Sequence, residues 1–543
     1  MQQDDTKQDD TKPWRILVAD DLTPEGLQIL GDKAILRVFK GMTQEQLLQE
    51  LPGTHALVVR SATTVTRAVL EAASDLLIIG RAGIGVDNVD VEAATERGIA
   101  VMNTPESGAT TTAEHAIALL CSLARNIPFA SESMRAGKWE KSKFTGVELT
   151  GKTLGIVGLG RIGTIVAERA RGLAMRVIAY DPHLPKERAP DSVQLVTRER
   201  LLAESDFVTV HVPLIEATAN FFDAAAFAQM KPSARLIDCA RGGIVDEAAL
   251  CEALEAGRIA GAALDVFETE PLPVDSPLRR QERLVLTPHL GASTKEASQR
   301  IGVDLARQIV TCLEFGTVIN GVNVPRIAPE LAEEVAPWLD LITCLATLLT
   351  QAFPGKLESL SLDLQGERPQ RHQQTLEVAA LVGALRGVGE TVTAVNARAA
   401  AKRCGLAATT QHFQIDSAYL DAVRVTAVLD GRARSASGTL LGRGGLTILE
   451  LENASLDAHP ARNMLLTFHE DAPGVIGRIG TLLGERGINI SSMQVALGGD
   501  SGAPAMALLA VDSPLDDEAV RELEDIDAVQ RIACIDFVRG GRP

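Results

Sequence analysis

The stretch Thr153-Leu154-Gly155-Ile156-Val157-Gly158-Leu159-Gly160-Arg161-Ile162-Gly163 decides how this chain is read. The apolar run Thr153 to Gly158 predicts a strand, and Arg161 to Leu173 has the apolar spacing of a helix. The glycines therefore lie where a strand turns into a helix, and a second strand, Arg176 to Tyr180, ends at Asp181-Pro182. In that setting Gly158 permits a tight turn, Gly160 lets a pyrophosphate approach the backbone, and Gly163 lets helix and strand pack closely. Free N–H groups at the helix start, around Ile162, offer phosphates a partial positive charge that Arg161 can reinforce. Asp181 is placed to accept hydrogen bonds from an adenosine ribose, and its charge repels a further phosphate, so NAD is expected rather than NADP. The bland alternative is a tight turn and a strand cap with no ligand.

Outward from this motif the alternation continues. Phe207 to His211, Arg235 to Cys239, Ala260 to Val266 and Arg283 to Thr287 read as strands that complete a doubly wound, Rossmann-type parallel sheet. Upstream, strands at Arg15 to Ala19, Ala56 to Arg60, Leu76 to Gly80 and Ile99 to Met102 alternate with amphipathic helices such as Thr43 to Leu51 and Thr66 to Ala73. That unit has no glycine-rich loop, and the helical run Thr110 to Arg125 leads from it to the dinucleotide motif. Downstream come a helix over Lys295 to Glu314, the turn-rich Asn320 to Pro325, and a further α/β region from Ile327 to Ala461. Its Gly442-Arg443-Gly444-Gly445 cluster reads as a hairpin turn, an anion-binding nest being the alternative. From Asn463 on, the order strand, helix, strand, strand, helix, strand predicts a ferredoxin-like fold, with Asp471 near the start of its first helix and Gly487 at its C-terminal cap.

Composition sets the bounds. A chain of 543 residues is too long for one core and suggests roughly three or four units. Apolar residues are 46% and aromatics 3%, so the cores are built from Ala, Val, Leu and Ile, which suits parallel sheets covered by helices. A net charge of -18 argues against nucleic acid or anionic membrane as general partners, and an anionic substrate must meet a local basic pocket. The seven cysteines show no Cys-x-x-Cys pairing, so neither zinc nor a disulfide framework is expected. Met1 to Pro13 repeats Gln-Asp-Asp-Thr-Lys without an apolar run and reads as a solvated, disordered tail rather than a secretory signal. No segment reads as a membrane span, so a soluble, cytoplasmic protein is expected.

Three further segments belong together: Asp238-Cys239-Ala240-Arg241-Gly242-Gly243, Leu264-Asp265-Val266-Phe267-Glu268-Thr269-Glu270-Pro271 and Thr287-Pro288-His289-Leu290-Gly291-Ala292. Each lies at or just beyond the carboxyl end of a predicted strand, where ligands of such sheets bind. Arg241, Glu270 and His289 can therefore converge. Read one at a time they are a surface arginine, a loop glutamate and a structural histidine.

With these motifs in view, Trp14 to Pro325 resembles the D-isomer-specific 2-hydroxyacid dehydrogenases. Val59-Arg60-Ser61-Ala62-Thr63-Thr64, Gly80-Arg81-Ala82-Gly83 and His289-Leu290-Gly291-Ala292-Ser293-Thr294-Lys295-Glu296 look in particular like the members that oxidise 3-phosphoglycerate. The resemblance implies a split, flavodoxin-like substrate domain, 14–108 and 293–326, around an NAD domain at 109–292. It implies His289 as acid/base, Glu270 as its partner and Arg241 as the substrate anchor. It places NAD against Gly158, Gly160, Arg161, Ile162, Gly163, Asp181, Val212, Cys239, Ala240, Arg241, Asp265, His289, Gly291 and Ala292. Val212 stands where members often carry Thr, and Ile84 varies too. Arg60, Ser61 and Arg81, with Lys141 or Arg135 as further candidates, are expected to meet the substrate phosphate, ordinary salt bridging being the alternative for the arginines.

The segment Phe468-His469-Glu470-Asp471-Ala472-Pro473-Gly474, followed by Gly487-Ile488-Asn489-Ile490, resembles an ACT domain over 462–543. That implies an amino-acid effector, L-serine, met by His469, Asp471 and Asn489, which otherwise serve as cap and turn residues. Region 327–461 resembles the intervening domain of the longest family members, with a regulatory or assembly role. The whole implies NAD-dependent oxidation of D-3-phosphoglycerate to 3-phosphohydroxypyruvate, the first step of serine synthesis, by a homotetramer or a dimer. The alternatives are a dehydrogenase of another 2-hydroxy acid, such as one reducing glyoxylate or 2-oxoglutarate, and an NAD-sensing corepressor.

Overall fold

Short aliphatic runs bounded by turn residues become strands wherever both faces of the run are buried. The computed structural model of the protein describes residues 14–325, 327, 331–386, 392–412, 419–442, 445–497 and 504–537. The tail at 1–13 and Arg443-Gly444 of the glycine cluster lie outside these. The chain divides into two units, Thr104–Asp304 and the two flanking parts together.

In the flanking unit, β1 (Trp14–Val18), β2 (Ala34–Val38), β3 (Ala56–Val59), β4 (Ile78–Arg81) and β5 (Ala100–Asn103) pair in parallel in the order β2-β1-β3-β4-β5, a flavodoxin-like sheet. Leu17, Leu57, Val59 and Ile79 are buried against Leu47 and Leu51 from one covering helix and Val69 and Leu70 from another. Thr43 closes a capping box with Gln46 at the start of the helix Gln44–Glu50. Strand β2 was not expected. It is an edge strand with a half-exposed burial pattern, so it lacks the continuous apolar signature of its neighbours.

The unit Thr104–Asp304 holds β6 (Thr153–Val157), β7 (Arg176–Tyr180), β8 (Gln194–Leu195), β9 (Phe207–Val210), β10 (Arg235–Asp238), β11 (Gly261–Leu264) and β12 (Leu284–Leu286). They form one parallel sheet ordered β12-β11-β10-β9-β6-β7-β8. One face packs Leu154 and Ile156 against Ala113, Ala116, Leu120 and Leu123 of the helix Ala109–Ala124. The other buries Val208, Val210, Leu236 and Leu264 with Phe222 and Phe227. The strand order reverses between β6 and β9, so the crevice opens where the glycine loop leaves β6. The expected Rossmann-type sheet is thus present.

The region expected only as α/β is a six-stranded sheet ordered β14-β13-β15-β16-β17-β18, made of β13 (Leu357–Gln365), β14 (Ala407–His412), β15 (Ala422–Leu429), β16 (Arg432–Leu441), β17 (Gly445–Leu451) and β18 (Ala454–Ala458). Leu441 pairs antiparallel with Gly445, the hairpin expected at the glycine cluster. The helix Ala332–Ala352 corrects one expectation: its 21 residues are long and apolar enough to cross a membrane. Its apolar side is occupied, since Trp338, Leu341, Leu345 and Leu349 are buried in the core with Leu360, Leu362, Val423 and Val425 of the sheet.

The last sheet, β20-β21-β19-β22, joins β19 (Asn463–His469), β20 (Ile490–Ala496), β21 (Ala505–Val511) and β22 (Val529–Asp536) in the antiparallel ferredoxin-like arrangement. Its first helix, Val475–Glu485, starts from Gly474 at φ 90° without a side-chain cap, so Asp471 does not cap it.

Candidate active site

The glycine loop is shaped by close backbone approach. A methyl at Gly158 would meet the His211 carbonyl oxygen at 2.5 Å and Val212 Cγ1 at 2.6 Å, and one at Gly163 would meet the Gly158 carbonyl oxygen at 2.1 Å. A methyl at Gly160 would meet nothing within 4 Å. The helix Arg161–Gly172 begins at Gly160 with no side-chain cap, which leaves the first-turn N–H groups around Ile162 to a ligand. The open side at Gly160 and the uncapped amides fit a dinucleotide pyrophosphate. Asp181 follows β7, and its carboxylate holds the loop by accepting from the N–H groups of Leu159 and His183, each at 3.0 Å. Arg161 adds less charge than expected, because its guanidinium pairs with Glu106 at 2.7 Å.

The other candidates follow adjacent strands β10, β11 and β12, whose register sets Asp238 beside Leu264 and Leu264 beside Leu286. Parallel neighbours end together, so the loops carrying Arg241, Glu270 and His289 emerge side by side. Gly242 makes their contact close: a methyl there would stand 1.8 Å from the Phe267 carbonyl oxygen. The Phe267 N–H donates to Glu270 Oε1 at 3.1 Å, and Glu270 Oε2 lies 2.6 Å from His289 Nδ1. A carboxylate only accepts, so the Nδ1 proton is donated to Glu270, and in the neutral imidazole Nε2 is then the nitrogen with the free lone pair. Burial raises the Glu270 carboxyl, but the hydrogen bond from His289, the attraction of that ring in its protonated form and the Phe267 N–H outweigh it and hold Glu270 below its usual range.

His289 sits at φ 54°, a left-handed conformation rare outside glycine. Asp265 fixes that turn. Its carbonyl accepts from the His289 N–H at 2.9 Å, and its carboxylate accepts from the N–H groups of Leu290 and Gly291 at 2.8 Å each. The same buried carboxylate takes the Thr287 hydroxyl at 2.5 Å and lies 3.1 Å from His115 Nε2. Burial pushes this carboxyl up, and His115, Thr287 and the Leu290 N–H together bring it below the usual range. His115 and Thr287 were not singled out in the sequence; a histidine inside an apolar helix gives no signal until the fold places Asp265 beside it.

Asp238, also not foreseen, is buried at the end of β10 and accepts from the Ala240 N–H at 2.8 Å. Burial raises its carboxyl to about 7 against the lowering effect of Ala240 and Arg241. Cys239 and Ala240 are buried, and burial raises the Cys239 thiol well above its usual value, so these two present backbone rather than side-chain chemistry. Arg241 donates to the Ala240 carbonyl at 2.6 Å. Val212 and Ala292 are half-buried beside their loops.

In the flanking unit, Arg60 follows β3. Its N–H donates to Asp20 at 2.6 Å and its carbonyl accepts from Asn88 at 2.7 Å, while its guanidinium has no ion pair among the described residues. Ser61 is exposed beside it. Arg81 folds back over Gly83, where a methyl would collide with the guanidinium. His469 is buried with Nδ1 2.9 Å from the Glu470 carbonyl, and Asp471 and Asn489 are exposed. The register sets His469 opposite Ala505, with Asp471 just beyond, whereas Asn489 precedes the end where Ile490 faces Val511. One domain therefore holds these effector candidates at opposite ends of a seven-residue strand, roughly 20 Å apart, and does not bring them together.

Comparison with known proteins agrees with this architecture. Residues 117–291 match the NAD-binding domain of the D-isomer specific 2-hydroxyacid dehydrogenases, 334–452 the D-3-phosphoglycerate dehydrogenase intervening domain, and 463–528 the ACT domain. The chain is 41% identical over 519 residues to a D-3-phosphoglycerate dehydrogenase of Synechocystis, covering 95% of this chain and 93% of that one. It is 37% identical over 526 residues to that of Bacillus subtilis, covering 96% and 100%. Among solved structures, a glyoxylate reductase from Paecilomyes thermophila superposes with a TM-score of 0.54 at 30% identity, covering 57% of this chain and 98% of that one. An NAD-dependent formate dehydrogenase from Staphylococcus aureus in complex with NAD gives 0.50 at 30% identity, covering 55% and 94%. Uncapped glycine loop, paired imidazole and full-length relatives lead to one conclusion: the chain belongs to the D-3-phosphoglycerate dehydrogenases, NAD-dependent oxidoreductases.

Proposed function

We propose that His289, Glu270 and Arg241 carry out the oxidation of D-3-phosphoglycerate to 3-phosphohydroxypyruvate at the carboxyl ends of β10, β11 and β12. The observation that carries this reading is the 2.6 Å contact between His289 Nδ1 and Glu270, which leaves Nε2 as a base. His289 Nε2 takes the proton of the substrate hydroxyl, and Glu270 stabilises the imidazolium that forms. Arg241 grips the carboxylate with its planar fork and orients the reacting carbon. Gly158, Gly160, the helix start at Arg161 to Gly163, Asp181 and the Asp265 loop would hold NAD, which would supply the hydride acceptor. Arg60, Ser61 and Arg81 take the phosphate.

We assign 14–108 and 293–326 to the substrate domain, 109–292 to the NAD domain, 327–461 to the intervening domain and 462–543 to the ACT domain. L-serine is the proposed effector, at a site needing His469 and Asp471 of one copy and Asn489 of another, in a cytoplasmic homotetramer or dimer. The test follows NADH formation from 3-phosphoglycerate with the keto product trapped, then adds L-serine. His289→Ala should lose at least a hundredfold in turnover with NAD affinity within a few-fold of the parent. Near-parental turnover in that variant, or faster reduction of glyoxylate or 2-oxoglutarate by the parent, would reject the reading.

A further inference from the structure

Between the six-stranded and four-stranded sheets, both in the flanking unit, lies a cavity of about 410 Å³ lined by Phe353, Arg434, Glu452, Phe468, Met506, Gln530 and Arg531, with Pro504 at its edge. None of these residues belongs to the catalytic or effector assignments above. The register places Phe468 on β19 opposite both Arg531 on β22 and Met506 on β21, so the three share one face of the sheet. Phe353, which ends the helix Ala332–Ala352, brings its ring to 5.7 Å from that of Phe468. The Arg531 guanidinium lies 4.2 Å from the Phe468 ring centre and 5.2 Å from that of Phe353. Arg434 of β16 lies 4.5 Å from the Phe353 ring. Two guanidinium groups thus meet over one pair of aromatic rings.

Their charges are unequally answered. Arg434 pairs with Glu452 at 2.6 Å, and the other oxygen of Glu452 accepts the Ser435 N–H at 2.9 Å. Arg531 has no carboxylate partner among the described residues. Burial and the neighbouring Arg434 both press its proton off, an arrangement that disfavours the charged form unless an anion is present. Stacking uses the flat face of a guanidinium and leaves the N–H donors in its plane, which match the oxygens of a planar or tetrahedral oxyanion.

We propose that Arg531, with Arg434 beside it, binds the oxyanion group of a small organic acid, a carboxylate or a phosphate ester, in this cavity. The volume lies within the range of small-molecule sites and exceeds what a single water fills. Phe353, Phe468 and Met506 give the carbon portion an apolar wall, while Gln530 supplies an exposed polar edge. The site touches both the intervening-type sheet and the ferredoxin-like sheet, so its occupant contacts both.

The test uses the full-length protein and two probes, inorganic phosphate and succinate, in calorimetric titrations of the parent, Arg531→Gln and Gln530→Glu. The parent should bind at least one probe with one site per chain that Arg531→Gln weakens at least tenfold. Gln530→Glu sets a carboxylate beside Arg531 and should abolish the same site while raising the midpoint of thermal unfolding, so loss of binding there cannot be loss of fold. Loss confined to phosphate identifies a phosphate ester, loss confined to succinate a carboxylic acid, and either supports the proposal. Equal stoichiometry and affinity for both probes in all three proteins overturns it, leaving Arg531 as a cover for two aromatic rings. Should Arg531→Gln fail to fold, Gln530→Glu decides alone by the same criteria.

Discussion

Replacing Gly163 and Gly160 with alanine in turn separates the two tasks of the glycine loop. The Gly163→Ala methyl would stand 2.1 Å from the Gly158 carbonyl oxygen, while ordinary contact begins near 3.4 Å. Backbone must therefore move by more than 1 Å at the helix start. Overpacking of this kind costs about 1–3 kcal/mol, or roughly 2–12 °C in the unfolding midpoint of a unit this size. The same movement turns the first-turn N–H groups away from the pyrophosphate. A hydrogen bond to a charged group contributes about 1.5–3 kcal/mol, so losing one weakens NAD about ten- to a hundredfold. Gly160→Ala meets nothing within 4 Å, so the fold should keep its midpoint while the methyl enters the space assigned to the phosphates. Thermal unfolding without ligand, paired with calorimetric titration of NAD, reads both effects. Parental NAD affinity in Gly160→Ala, or a parental midpoint in Gly163→Ala, would refute the reasoning.

Asp238→Asn should flatten the pH dependence of stability. The folded carboxyl ionises at about 7 rather than at 3.8, so between those values the folded chain holds a proton that the unfolded chain has shed. Stability therefore falls as pH rises through that window, by on the order of 4 kcal/mol at most; the variant should melt higher than the parent at pH 8 and alike at pH 4, and a lower midpoint at pH 8 would contradict this. His115→Ala removes a partner that holds the Asp265 carboxyl low, so turnover should drop about tenfold and the acid limb of the kcat/KM profile should move to higher pH, with His115→Asn recovering part of the loss. An unmoved profile would make His115 a packing residue rather than a positioning one. Arg60→Gln should raise KM for 3-phosphoglycerate about tenfold or more while leaving NAD affinity and the melting midpoint unchanged, because Asp20 and Asn88 bind only the backbone of that residue; an unaltered KM would remove Arg60 from the site.

Much of the fold was legible in the primary structure because parallel strands buried on both faces must be continuous aliphatic runs. That is why such runs mark β6, β7, β9 and β10 to within a residue of their ends, while the half-exposed edge β2 and the two-residue β8 carry no such signature. The apolar helix Ala332–Ala352 shows the limit of such reading, since only the sheet packed against it tells a core helix from a membrane span. The roles of Arg241, Glu270 and His289 came from resemblance, because taken one by one these residue types fit a surface or structural position equally well.

The chain order of residues thus determined the dinucleotide loop, the strand and helix alternation and the family, all of which depend on spacing within a few tens of residues. Tertiary structure alone decided that His115 reaches Asp265, that Gly242 seats on Phe267 and that Arg531 meets Arg434. It also separated Asp471 from Asn489 by the length of a strand. These are contacts between segments far apart in the chain, set by strand order and register, and no local preference encodes which distant side chain will face which.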